Sequence, residues 1–233
     1  HEAVTSWCDV ELLVNRYGLV EVKKPSQSAL QIANSETGII QNDVAGLWLS
    51  DMTQAFGKVP LAFNWHDCHC AMISAHKIGG PKGVGALIVK RGTELAAQIK
   101  GGGQEMGRRS GTENVLGIVG FGAAAEAAEK DLVSGKWEKI SQFRMILENM
   151  IEEFSDVPIL IGRDSDRLPN TTCLVTPGWK GETQVMQMDL EGIAVSAGSA
   201  CSSGKVRSSD VLKAIGLSEN DASCAIRISL GLD

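Results

Sequence analysis

The sequence predicts an α/β protein built around a mostly parallel sheet. Three observations carry this reading. Apolar runs at residues 44–49, 71–74 and 85–89 each stop at polar or glycine-bearing stretches and are separated by longer connections. Such continuous runs are what strands buried on both faces look like. Two helical patterns then follow without a strand between them: the alanine-rich residues 115–131, and residues 137–154. Finally, short strand patterns at 159–161, 172–175, 194–196 and 225–230 alternate with a helical pattern at 209–215. The division expected is a part of a larger domain over residues 1–125 and a smaller α/β domain over 126–233.

Taken in order, residues 3–16 have helical spacing, with Val4, Trp7, Cys8, Leu12 and Leu13 at three- and four-residue intervals and Gly18 as a stop. Residues 20–22 and 29–33 read as short strands. The connection over residues 34–47 is short for a parallel crossover, which needs about a dozen residues and usually a helix. Gly38, Asn42 and Gly46 make a poor helix there. No internal repeat or low-complexity segment interrupts the chain.

Composition narrows the function. The net charge of −6 and the lack of a basic stripe give no electrostatic case for nucleic acid. The longest apolar runs, such as residues 84–89, are far too short to cross a bilayer. The opening HEAVTSWCDV does not read as a signal peptide. The six cysteines do not form a disulfide framework, so a reducing, cytoplasmic setting is expected. His66, Cys68, His69 and Cys70 crowd into HDCHC, but the spacing departs from C-x2-4-C and no second pair stands elsewhere. No metal is expected; the stretch reads as a loop turning into a buried strand.

Four segments carry candidate chemistry. In ISAHKIGGPKG, Lys77 follows an apolar strand and precedes a glycine-rich turn. A partly desolvated lysine there can act as a nucleophilic amine toward carbonyl compounds, including pyridoxal phosphate; the alternative is a surface lysine in a turn. In LWLSDMTQ, Asp51 closes an apolar run with Gln54 just beyond. The carboxyl end of a strand is where open α/β sheets bind ligands, although a helix cap explains Asp51 equally. SAGSACSSGK is small and polar around Cys201, so an exposed, mobile loop with an accessible thiol is expected. An inert cysteine in a serine-rich linker fits the same composition. In AIRISLG, Arg227 interrupts an apolar strand and needs a partner: a substrate carboxylate, or a structural salt bridge.

Together these segments resemble the cysteine desulfurases, within the class V aminotransferase group of fold-type I pyridoxal phosphate enzymes. SAHKIGGPKGVGALIV resembles the cofactor-lysine segment of that family, and GGGQEMGRRSGT its glycine-rich segment. SAGSACSSGKVRSSDVLKAIGL resembles its active-cysteine loop and following helix, and AIRISLG its substrate-arginine strand. The resemblance implies the three-layer, aspartate aminotransferase-like α/β fold, with residues 1–125 in the cofactor-binding domain and residues 126–233 carrying the cysteine loop. It implies that Lys77 bears pyridoxal 5'-phosphate, that Ser74 and His76 contact its phosphate, that Asp51 meets the ring nitrogen and that Gln54 meets the phenolic oxygen. His1 resembles the histidine that stacks on the ring. Thr112 resembles the threonine that reaches the phosphate of a neighbouring subunit, which implies a homodimer. Cys201 is then the sulfur acceptor, and Arg227 and Ser35 lie on the side of the substrate L-cysteine. The implied activity releases L-alanine and leaves a persulfide on Cys201, which passes to a sulfur-acceptor or scaffold protein for iron–sulfur cluster or thio-cofactor assembly.

The chain departs from the family where Ser35 stands in place of an asparagine, a shorter group with fewer hydrogen bonds. The resemblance also implies about one hundred residues ahead of His1, a domain's worth, with a glycine-threonine turn that grips the phosphate, and a closing helix after Arg227. A longer protein is therefore expected. The alternatives are a selenocysteine lyase or aminotransferase of the same fold, and a truncated homologue acting as a scaffold. Cys201 speaks for sulfur acceptance, because transamination needs no such thiol.

Overall fold

The structure is a computed structural model that describes residues 1–198 and 208–232. It opens on a short helix, α1 (Glu2–Thr5). The spacing over residues 3–16 does not produce the longer helix expected. Trp7, Val10 and Leu13 stand exposed, and an amphipathic pattern that packs against none of the described residues gains little. The chain instead turns at Gly18, where the Asn15 side chain accepts from Tyr17 N and Leu19 N, and Val14 bridges to Val20.

Four strands follow in spatial order: β1 (Ala29–Gln31), β2 (Leu49–Asp51), β3 (Cys70–Ser74) and β4 (Gly85–Val89). The first three are parallel, with Gln31 opposite Asp51 and Asp51 opposite Met72; β4 returns antiparallel along β3. The parallel strands therefore release their carboxyl ends along one edge. Leu30, Ile32, Leu47, Met52 and Ala71 are buried beneath them, and each large apolar side chain so buried contributes about 1.5–3 kcal/mol. The connection from β1 to β2 contains no helix. It folds back through an Ala33–Ile40 bridge, ties Ile39 to Arg167 and is packed by Leu168 from later in the chain.

Two long helices come next, α2 (Val115–Val133) and α3 (Lys136–Phe154), joined at Gly135 in the left-handed region. The Asn114 side chain caps α2 by accepting from Gly117 N at 3.1 Å. The helix packs against the turn that carries Lys77. From α3, Trp137 Nε1 donates to Gly57 O at 2.7 Å and pins the loop that follows β2.

The second sheet contains β5 (Ile159–Ile161), β6 (Thr171–Val175), β7 (Ser196–Ala197) and β8 (Ala225–Ser229), in the order β5-β6-β8-β7 and antiparallel throughout. Helices α4 (Gly181–Leu190), α5 (Asp210–Ile215) and α6 (Glu219–Ala222) accompany it. Its own core gathers Ile161, Val175, Leu212, Ala222 and Ala225.

Candidate active site

The strand ends place the first group. Asp51 closes β2 with only 2% of its surface exposed. Its carboxylate accepts from Thr53 N at 3.0 Å and from Gln31 Nε2 at 3.3 Å. Both donors are neutral, and no arginine or lysine pairs with Asp51 among the described residues. A buried carboxylate in this state is completed by a positively charged ligand group. A protonated ring nitrogen meets that need.

One strand further on, Ser74 ends β3 and the chain enters a single 3-10 turn, Ala75–Ile78, that carries His76 and Lys77. Gly79 closes the turn at φ +81, a conformation other residues adopt only under strain. At Gly80 a Cβ would lie 3.0 Å from Ala75 O and 3.2 Å from Ala124, so the bare backbone lets α2 sit against the turn. Lys77 is half-buried and has no hydrogen-bond or ion-pair partner among the described residues. Burial first, and then the charges of Lys77 and Lys82, hold the exposed His76 imidazole below its usual pKa and favour its neutral form.

The second sheet delivers Arg227 to the same place. From the middle of β8 its Nη1 donates to Ser35 O at 2.7 Å, while Nη2 lies 3.5 Å from Ser196 Oγ. Nε is buried and unpartnered among the described residues. This guanidinium has no carboxylate partner there, which leaves it free to hold an anionic ligand.

The loop after β2 adds a third cation. Lys58 donates to Gln54 O at 2.9 Å and to Gln54 Oε1 at 3.4 Å. Burial, followed by the positive charges of Lys77 and Arg227, pulls its ammonium down to about 8. Glu36, next to Ser35, accepts from Ser209 Oγ through its Oε2 and feels the charge of Arg227. Burial pushes its carboxyl upward, partly offset by the hydrogen bond from Ser209 and by the charge of Arg227.

The structure thus brings Lys77 and Arg227 within electrostatic reach of Lys58, which is bonded to Gln54, and sets Ser35 O on Arg227; Asp51 closes the adjacent strand β2, three residues before Gln54. The His1 ring is exposed, and its Nδ1 accepts from Ala3 N at 3.1 Å. Thr112 is exposed on the loop before α2, and its side chain makes no hydrogen bond to the cluster among the described residues. Cys201 lies outside the described residues. Sequence reasoning missed Gln31, Glu36, Lys58 and Ser209. Only Lys58 left a trace, as a charge set between Gly57 and Val59.

In the HDCHC stretch, His66 Nδ1 pairs with Asp43 at 2.7 Å, His69 packs against Trp48, and Cys68 and Cys70 are buried. No three metal-ligating side chains converge among the described residues. Cys173, fully enclosed, has its thiol pushed up to about 12 by burial and then by Glu36, which leaves it inert at neutral pH.

The family model for class-V aminotransferases matches residues 25–233. A cysteine desulfurase of Sinorhizobium fredii is 42% identical over 207 residues, covering 85% of this chain and 53% of its own length. The cysteine desulfurase IscS of Dictyoglomus turgidum is 41% identical over 184 residues, covering 78% of this chain and 46% of its own. Among solved structures, a NifS-like protein from Rickettsia africae superposes with a TM-score of 0.87 at 31% identity, over 100% of this chain and 68% of that one. The protein SspA, solved in complex with cysteine, superposes at 0.71 with 28% identity, over 94% and 65%. The chain spans about half the length of the curated relatives it matches.

Proposed function

We propose, from the premise that the chain belongs to the class-V aminotransferase family, that the intact protein is a pyridoxal phosphate-dependent cysteine desulfurase. The observation that carries this reading is that a lysine without a hydrogen-bond or ion-pair partner and a buried carboxylate with neutral donors follow or close adjacent parallel strands, while an arginine without a carboxylate partner reaches from the second sheet to Ser35 just beyond the first strand, all among the described residues. The relatives named above are cysteine desulfurases, and one neighbour is solved with cysteine.

When bound, pyridoxal phosphate supplies an electron sink for charge at the substrate α-carbon. Lys77 tethers it and moves the α-proton. Asp51 keeps the ring nitrogen protonated, and Gln54 donates to the phenolic oxygen. Ser74 and His76 would hold the phosphate, His1 would stack on the ring, and Thr112 would serve the phosphate of a second subunit in a homodimer. Arg227 grips the carboxylate of L-cysteine, with Ser35 beside it. The Cys201 thiolate attacks the substrate sulfur. The carbon–sulfur bond breaks, its electron pair stays with Cβ, and Cβ takes a proton. L-Cysteine and the Cys201 thiol thus become L-alanine and a Cys201 persulfide, and the outer sulfur passes to an acceptor protein in the cytoplasm. Residues 1–125 act as part of the cofactor domain and residues 126–233 as the smaller domain bearing Cys201.

The test is alanine and sulfide release from L-cysteine by the intact protein. Both are expected to vanish in Lys77→Ala and in Cys201→Ser, the latter still binding the cofactor. Normal turnover by Cys201→Ser removes the sulfur-acceptor role; a protein that only transaminates overturns the reading.

A further inference from the structure

Lys58 is a costly residue for a fold to keep. It is 8% exposed, it lies near two other positive charges, Lys77 and Arg227, and among the described residues it has no carboxylate partner. A buried ammonium in that position opposes folding, and a methionine of similar length would pack with no such penalty. Among the described residues the hydrogen bonds of its ammonium run to Gln54 alone: to the backbone oxygen at 2.9 Å and to the side-chain oxygen at 3.4 Å.

The chemistry of the pair fixes an orientation. A glutamine amide offers an acceptor at one end and two donors at the other, and it can turn over. An ammonium carries donors only, so the end of the amide that faces Lys58 is the oxygen. The amide nitrogen then points away, and Gln54 Nε2 has no partner among the described residues. The backbone bond to Gln54 O holds the ammonium at its post, and the Trp137 bond to Gly57 O holds the loop that carries both residues. The difference matters at an anionic oxygen: an N–H donor stabilises it, whereas a carbonyl repels it.

We infer that Lys58 is a positioning residue that locks the Gln54 amide by its oxygen, so that Gln54 always offers N–H donors to the phenolic oxygen of the bound cofactor. This rests on the desulfurase reading above. It accounts for retention of a buried cation where structure alone favours an apolar residue. It also predicts that the stabilised phenolate makes the lysine-bound cofactor lose its proton at lower pH.

The test is a spectrophotometric pH titration of the cofactor's visible band in the intact protein, with pyridoxal phosphate affinity measured alongside. Lys58→Met is expected to raise the apparent pKa of the band by about one unit and to weaken cofactor binding about tenfold, the size of one charge-assisted hydrogen bond. Gln54→Ala is expected to do the same, and the double variant no more than either alone. Lys58→Arg, also a donor-only cation, restores the parental titration. Gln54→Glu keeps the contact with Lys58 but has no donor left; it raises the pKa at least as far and tests the idea without altering Lys58. A Lys58→Met protein that titrates like the parent overturns the inference, as does a double variant in which the two shifts add in full. A parent protein that forms no visible band with the cofactor sinks the desulfurase reading and the role of Lys58 with it.

Discussion

Two regions of this molecule bury charge, and they do so in opposite ways. Between α3 and the second sheet, the Glu148 carboxylate is 1% exposed and fully matched. Arg167 reaches it with two bonds at 2.8 Å, Arg144 and Arg163 at 3.2 Å, and Thr172 Oγ1 at 2.7 Å. Those donors outweigh the burial and hold its carboxyl below the usual range. At the edge of the first sheet and on the facing strand β8, among the described residues, Asp51 has neutral partners, the Lys58 ammonium has Gln54, and Arg227 has a carbonyl and a hydroxyl. Charges that serve the fold are paired within it; charges left without counterparts are available to a ligand.

The sharpest way to break this contrast is Glu148→Ala. Removing the carboxylate strands Arg144 and the almost wholly buried Arg167, while Arg163 keeps Glu152. The expected loss is about 3–5 kcal/mol in denaturant unfolding, with an unchanged cofactor band in the folded fraction. A loss below about 1 kcal/mol would mean that the cluster is not structural.

Lys58→Met should move stability the other way. The Lys58 ammonium is pulled from 10.5 to about 8 in the folded protein. Between those values the unfolded chain binds more protons, so the penalty is complete below pH 8 and fades as pH rises toward 10.5. The substitution is expected to stabilise by about 2 kcal/mol at pH 7, after about 1 kcal/mol is subtracted for the lost bond to Gln54 O. The gain should shrink across pH 8 to 10.5; a pH-independent gain would reject the electrostatic account.

Ser209→Ala is the finest probe, because one hydroxyl serves both a helix cap and the flank of the site. Its hydroxyl caps α5 by accepting from Leu212 N at 3.1 Å and donates to Glu36 beside the site. Loss of about 1 kcal/mol in thermal unfolding is expected, together with a change in affinity for L-cysteine if Glu36 anchors that flank. Stability without any shift in affinity would confine Ser209 to capping.

The helices α2 and α3 were legible because their patterns are long, and β5, β6 and β8 because their apolar runs are bounded by turn residues, whereas β7 forms at Ser196–Ala197 and not over 194–196. The first helix was not, since residues 7–13 have the right spacing but no surface to cover. The helix-free crossover from β1 to β2 was hidden because Arg167 and Leu168, far along the chain, complete it. In the site, Lys77, Asp51 and Arg227 stood out as charges at the ends or interiors of apolar runs. Gln31, Glu36 and Ser209 did not, because only tertiary folding gives them partners, and Lys58 did not, because its partner Gln54 is local but its burial is not.

The central claim is that Lys77 carries the cofactor. Incubating the intact protein with pyridoxal phosphate, fixing the bond with borohydride and mapping the peptides by mass spectrometry tests it most directly. The account predicts one pyridoxyl label, on Lys77, and none in Lys77→Ala. A label confined to another lysine, or a colourless protein with Lys77 unmodified, would contradict it.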